Sequence, residues 1–396
     1  MNTDVSAAEL ELVRYEGEIS SKTPGWELLQ EEEGKMVSVP FEGRYESKGG
    51  RIQSPVIKLD KAPGEPAYYR LTFRAKTSDH CYWWVDFYDA DNNLLPDVNS
   101  AVYPNSDRED YDQMIYAPAA ATSLRLAFQS THGVTVRDLA VRQATTEEAG
   151  EWGDALYASL PPLQFQPPAD SFQLLPKTAA ALKEGKTWRV VMLGDSIQND
   201  SFNSVFQALV KRDFPQSQLD FIISVRGSTG CWYYQSPEHF AEYVTRYQPD
   251  LLMIGGISNL NEDPDNVPGG MAKIGRVIEQ AKTLGCEIVL LSPPHCWDWR
   301  PFDAGNPGAP LPAMTWTEAT LETKDVASSL LWTPFMELAA KQGIAFWNMT
   351  VPTADYVAHS RKPHNHFNRD HIHNNDRGKQ IIGRILQRYF LTAKIK

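Results

Sequence analysis

Two kinds of hydrophobic patterning divide the chain. Up to about residue 145, short segments alternate apolar and polar positions and are split by turn residues. Arg51–Leu59, Ala67–Ala75 and Cys81–Tyr88 are the clearest, followed by 114–116, 123–128 and 134–141. A period of two predicts half-buried strands, and a run of short strands with turns between them predicts an all-β, antiparallel sandwich. Trp83 and Trp84 are adjacent, so a regular strand points only one of them at the core.

From residue 188 the pattern changes. Continuous apolar runs at 188–194, 219–225, 251–254, 287–291 and 344–347 read as buried strands. Helical periodicity runs through 200–213, 237–247, 270–284, 325–342 and 377–392. The first of these is carried by Phe202, Val205, Phe206, Leu209 and Val210. Apolar strands separated by helices predict an α/β fold with a parallel sheet covered on both faces, whose ligands sit outside the carboxyl ends of the strands. Between the two patterns, 146–187 is polar and contains Pro161-Pro162 and Pro167-Pro168, which predicts a linker wrapping the surface. The expected organisation is therefore a sandwich at 1–145, a linker at 146–187 and an α/β domain at 188–396. The stretch from Ser292 to about Glu322 is far longer than an ordinary connection, and such loops are often functional.

The length of 396 residues suits two domains. There is no apolar run long enough to span a membrane. Met1–Leu10 has neither the basic nor the apolar region of a secretory signal, which leaves the compartment open; a secreted or periplasmic place fits if a leader has been removed. The net charge of −12 argues against nucleic acids and anionic membranes as partners. The four cysteines have no CxxC spacing, so neither a zinc site nor a disulfide framework is expected. Nothing in the sequence sets the oligomeric state.

The chemistry collects at the predicted strand ends. The first strand runs into Gly194-Asp195-Ser196, the second into Arg226–Cys231 and the third into Gly255–Asn259; Asn368–Gly378 precedes the last helix. A Gly-Asp-Ser string alone is a common turn, and a serine hydroxyl needs a base, an orienter for the base and oxyanion donors before it is a nucleophile. His371 and His373 are candidates for that base. His364, His366, His371 and His373 would also suit a metal, but no paired carboxylate or cysteine accompanies them at familiar spacing; no metal or other cofactor is expected.

In this order the blocks resemble the SGNH (GDSL-like) hydrolase family over roughly 188–394. Gly194-Asp195-Ser196 matches the first block, Gly227-Ser-Thr-Gly230 is similar to the second, Gly256-Ile-Ser-Asn259 to the third, and Asp370-His-Ile-His373 to the last. The asparagine stands one position later than in the usual Gly-x-Asn-Asp. The resemblance implies a three-layer α/β/α domain around a five-stranded parallel sheet. It also implies catalysis by Ser196, His373 and Asp370, with an oxyanion hole from the backbone N–H of Ser196, that of Gly230 and the Asn259 side chain. Gly227 is the rival for Gly230.

Aromatic residues cluster in the same loops. Trp232, Trp297 and Trp299, with Asp195, are the expected substrate contacts, since aromatic faces beside polar groups suit sugar rings. The segment around Trp83 and Trp84 resembles β-sandwich modules, often carbohydrate-binding, that accompany polysaccharide-active enzymes. The expectation is a serine esterase that removes small acyl groups, acetyl first among them, from a carbohydrate. A lipid or thioester acylhydrolase of the same fold and a non-catalytic carbohydrate-binding protein are the alternatives.

Overall fold

The computed structural model describes residues 11–32, 35–39, 51–77, 81–95, 110–130, 134–256, 267–294, 332–360, 362, 366–368 and 373–395. The chain divides into two compact units, Met1–Ala149 and Gly150–Lys396.

The first unit consists of strands β1 (Glu11–Glu18), β2 (Glu27–Glu32), β3 (Lys35–Val39), β4 (Arg51–Gln53), β5 (Ile57–Lys58), β6 (Ala67–Thr77), β7 (Cys81–Tyr88), β8 (Asp110–Ala117), β9 (Ser123–Ser130) and β10 (Val134–Ala144). One sheet runs β1-β10-β6-β8, and the other runs β3-β2-β4-β9-β5 with β7 paired to β9. Neighbouring strands are antiparallel. Phe73 of β6 meets Trp83 of β7 and Phe128 of β9 edge-on at ring separations of 5.5 and 5.2 Å, so the two sheets pack face to face. The alternation along β7 sends Trp83, Val85 and Phe87 into this core. Trp84 takes the opposite face, where the Arg51 guanidinium lies 5.8 Å from its ring centre.

The second unit is an α/β domain. Its strands are β11 (Thr187–Gly194), β12 (Gln218–Val225), β13 (Leu251–Gly255), β14 (Glu287–Leu291) and β15 (Ala345–Trp347). The helices of the chain are α1 (Thr146–Ala158), α2 (Pro176–Glu184), α3 (Ser196–Phe202), α4 (Phe206–Asp213), α5 (Cys231–Tyr234), α6 (Pro237–Tyr243), α7 (Val267–Thr283), α8 (Trp332–Gln342), α9 (Thr350–Ser360) and α10 (Asp376–Leu391). The strands form a parallel sheet in the order β12-β11-β13-β14-β15. Alternate residues divide between its faces. On one face Val191, Leu193, Leu252 and Ile254 join a core with Tyr234, Phe240, Ile274 and Phe335 from α5 to α8. On the other, Phe221 meets Phe206 of α4 at 5.1 Å and Phe390 of α10 at 6.3 Å. The sheet is thus the middle of three layers, and burying each large apolar side chain in it stabilises the fold by about 1.5–3 kcal/mol.

Two features depart from the sequence expectations. The helix expected at 200–213 is two helices, broken where Val205 takes a left-handed φ of 54°. Polar side chains there bond to the backbone and compete with the helix: Asn203 Nδ2 donates to the Asn199 carbonyl at 2.9 Å, and Ser204 Oγ to the Ser201 carbonyl at 2.6 Å. The segment 146–187, expected as a linker, contains α1 and α2. Phe172 and Leu175 within it are fully buried. The first turn of α2 is held by Glu287, whose carboxylate accepts from the N–H groups of Lys177 and Thr178, each at 2.7 Å. Tertiary burial decides this segment where local pattern is weak.

The strand order places β11 between β12 and β13. The chain leaves β11 for one side and returns on the other, so the carboxyl end of β11 lies at the topological switch point, the usual ligand crevice of such sheets.

Candidate active site

At that crevice β11 ends in Gly194, and Asp195 caps α3. Asp195 is extended, and its Oδ1 accepts from the N–H of Ile197 at 2.9 Å, which starts the helix at Ser196. The turn is tight enough to need glycine on both sides. A Cβ on Gly194 would lie 2.0 Å from the Gly255 carbonyl oxygen, and one on Gly256, whose φ is +62°, 2.2 Å from the Gln198 nitrogen. The Gly194 carbonyl accepts from Tyr234 Oη at 2.7 Å and from the N–H of Arg226 at 3.3 Å. Every residue from Val190 to Phe202 is buried except Ser196, which is partly exposed. The sequence therefore folds locally to present one hydroxyl to solvent.

His373 approaches this hydroxyl, with Nε2 2.8 Å from Ser196 Oγ. That is hydrogen-bond distance for a nucleophile and its base. The segment carrying the histidine is tied down on several sides. Asn375 caps α10 by accepting from the N–H groups of Arg377 and Gly378. Its own N–H donates to the Phe367 carbonyl at 2.9 Å, and Asn368 and Asn374 form an antiparallel bridge. The N–H of Asn374 donates to Asp200 Oδ2 at 2.7 Å, tying the segment to α3 itself.

Gly230 is buried at the head of α5, whereas Gly227 lies in an exposed turn where an added Cβ would meet nothing within 4 Å. Beyond Gly230 comes an aromatic shelf. Trp232 is 38% exposed. It stands edge-on to Tyr233 at 6.0 Å. Tyr233 stacks on His239 at 3.6 Å, and the Arg226 guanidinium lies 4.5 Å from the Tyr233 ring centre. Cys231 is fully buried, and burial, reinforced by the Asp195 carboxylate, pushes its thiol far above the usual range. It is therefore held as an unreactive thiol.

Asp195, expected as a substrate contact, is completely buried, and its carboxylate serves the start of α3; it has no surface to offer a substrate. Asn259, Asp370, Trp297, Trp299, His364 and His371 lie outside the described residues, as does most of the long loop after Ser292. His366 is described, and burial, with Arg377 and Lys362 nearby, lowers its pKa. Among the described residues no group of three or more His, Cys, Asp or Glu is placed to hold a metal, and no helix is long and apolar enough to cross a membrane. Two residues of the site escaped the sequence reading: Gln198 and Asp200. Asp200 carried the best signal, an acidic residue one helical turn after the serine.

No family model matches the chain, and no curated protein matches it. Several solved structures are similar to it. One is a two-domain esterase active on acetylated mannans, with a TM-score of 0.42 and 16% identity over 57% of this chain and 54% of that one. A catalytic mutant of Axe2, an acetylxylan esterase from Geobacillus stearothermophilus, gives a TM-score of 0.39 and 13% identity over 51% of this chain and 94% of its own. A protein described as an SGNH hydrolase, from Slackia heliotrinireducens, gives 0.36 and 16% over 51% and 98% respectively.

Proposed function

We propose that the protein is a serine ester hydrolase that removes small acyl groups, acetyl first among them, from a carbohydrate. The observation that carries this reading is the 2.8 Å approach of His373 Nε2 to Ser196 Oγ, at a partly exposed serine on the carboxyl end of a central parallel strand.

In this mechanism Ser196 Oγ attacks the ester carbonyl while His373 Nε2 takes its proton. The carbonyl oxygen becomes an oxyanion, stabilised by the backbone N–H groups of Ser196 and Gly230 and by the Asn259 amide; each such donor is worth about 2.7–4 kcal/mol in the transition state. Burial of Gly230 at the head of α5, against the open turn around Gly227, supports Gly230 as the donor glycine. Collapse of the intermediate breaks the ester bond, and His373 gives its proton to the departing alcohol. The acyl group stays on Ser196 until a water, deprotonated by His373, releases it as the free acid. Asp370, three residues before His373, would hold the imidazole in the tautomer with its proton on Nδ1. Trp232, exposed on the aromatic shelf, gives the alcohol side a flat apolar surface of the kind sugar rings stack on. The N-terminal sheets would act as an accessory module.

Two assays on the full chain test this reading. Acetate release from a panel of acetylated polysaccharides is expected to identify at least one substrate. Chromogenic esters of increasing acyl length are expected to be cleaved with declining efficiency. A preference for long acyl chains would overturn the acetyl assignment.

A further inference from the structure

We infer that Asp200 is a positioning residue for the reaction: its carboxylate fixes the histidine-bearing segment to the helix that carries the nucleophile. The inference rests on the reading of Ser196 and His373 given above.

Ser196 and Asp200 are four residues apart on α3, so they stand one turn apart on the same face of one helix. Their partners are adjacent in the chain. Ser196 Oγ meets His373 Nε2 at 2.8 Å, and Asp200 Oδ2 accepts from the N–H of Asn374 at 2.7 Å. Two points one turn apart on a rigid helix thereby hold two successive residues of the other segment. That arrangement limits both the sliding and the rotation of the histidine relative to the hydroxyl.

The other ties on this segment act differently. The bridge between Asn368 and Asn374, the bond from Asn375 to Phe367 and the Asn375 cap of α10 shape the segment itself. The Asp200 bond instead refers it to the nucleophile's own helix. It is also a strong one. A carboxylate accepting from a backbone N–H makes a charge-assisted bond, about twice as strong as a neutral one. Asp200 and Asn374 are both buried, so water does not compete for it. Placing a carboxylate in a helix interior with 0% exposure is costly unless its bonds are needed there.

Proton transfer demands alignment, and a misplacement of about 1 Å can cost about 10²-fold in rate. In this scheme Asp200 acts through the backbone N–H of Asn374.

The test uses full-length Asp200→Ala and Asp200→Asn beside wild type and Ser196→Ala. Three quantities are read: kcat and KM on a chromogenic acetyl ester, the rate of Ser196 labelling by a fluorophosphonate, and Tm. Asp200→Ala is expected to lower kcat by about 10- to 100-fold, with KM little changed and labelling slowed by the same factor, at a temperature where the variant is fully folded. Asp200→Asn keeps an oxygen at the same place and is expected to fall between Asp200→Ala and wild type. If Asp200→Ala does not fold, Asp200→Asn decides alone: lowered kcat and labelling at unchanged KM support the assignment. Wild-type kcat and labelling in the variant that folds, or a loss confined to KM or to Tm, would overturn it. Inactive Ser196→Ala beside fully active Asp200→Ala removes the positioning role alone. Wild-type turnover by Ser196→Ala removes the underlying reading, whatever Asp200 does.

Discussion

Gly194 and Gly255 are register partners at the carboxyl ends of β11 and β13, and a Cβ on Gly194 would sit 2.0 Å from the Gly255 carbonyl oxygen. The two strands close on each other just before Ser196, and the obstacle to a side chain is backbone that cannot swing aside. Gly194→Ala is expected to force the strand ends apart. Overpacking of this kind costs about 1–3 kcal/mol, which in a unit of this size lowers Tm by at least about 2 °C. Thermal unfolding and ester turnover read the two effects; an unchanged Tm would show that the approach is looser than described.

His373 and Ser196 act as one unit in the proposed chemistry. His373→Ala is expected to lower kcat by more than about 10³-fold, and the double variant with Ser196→Ala to be no worse than either single one. Steady-state kinetics on all three variants checks this. Additive losses would mean that the two residues work independently.

In the proposed reading Trp232 serves the alcohol side rather than the acyl transfer. Trp232→Ala is expected to raise KM for an acetylated polysaccharide by about 2- to 10-fold, while a small chromogenic acetyl ester is turned over as before. Equal losses on both substrates would contradict a platform role.

The layers of this fold were legible because burial imposes a period. The runs at 188–194, 219–225, 251–254 and 287–291 fall on β11 to β14 to within a residue or so, since a strand covered on both faces must be apolar throughout. The alternation at 81–88 likewise gave β7 and its single core tryptophan. What escaped was decided by partners distant in sequence. Phe172 and Leu175 look like isolated apolar residues in a proline-rich stretch until α2 is seen to dock on Glu287. The break before α4 depends on which backbone carbonyls Asn203 and Ser204 reach. The turn signals put Ser196 at a strand end, and His373 was named on the resemblance of Asp370-His-Ile-His373 to a family block. Asp200 was not legible, because its acceptor role exists only once Asn374 arrives from 174 residues away.

Asp154 links α1 to α4 and α10. Burial alone would raise its carboxyl, but hydrogen bonds from Arg212, at 2.6 Å, and Arg384 hold it below the usual carboxylate range. A pKa lowered by folding adds stability that is fully present above the unfolded value, near 3.8, and is lost as pH falls through the lower folded value. Asp154→Asn is therefore expected to lower Tm at neutral pH, and the gap from wild type is expected to close under strongly acidic conditions. The effect is modest, because the Asp154 side chain is 42% exposed and water screens the pair. A gap in Tm that stays constant down to acid pH would contradict the assignment.

Turnover of a chromogenic acetyl ester by Ser196→Ala, in protein that melts like wild type, bears most directly on the chemistry proposed for this chain. A fall of more than about 10³-fold, together with loss of fluorophosphonate labelling, is the predicted result. Undiminished turnover with Ser196 replaced would contradict it.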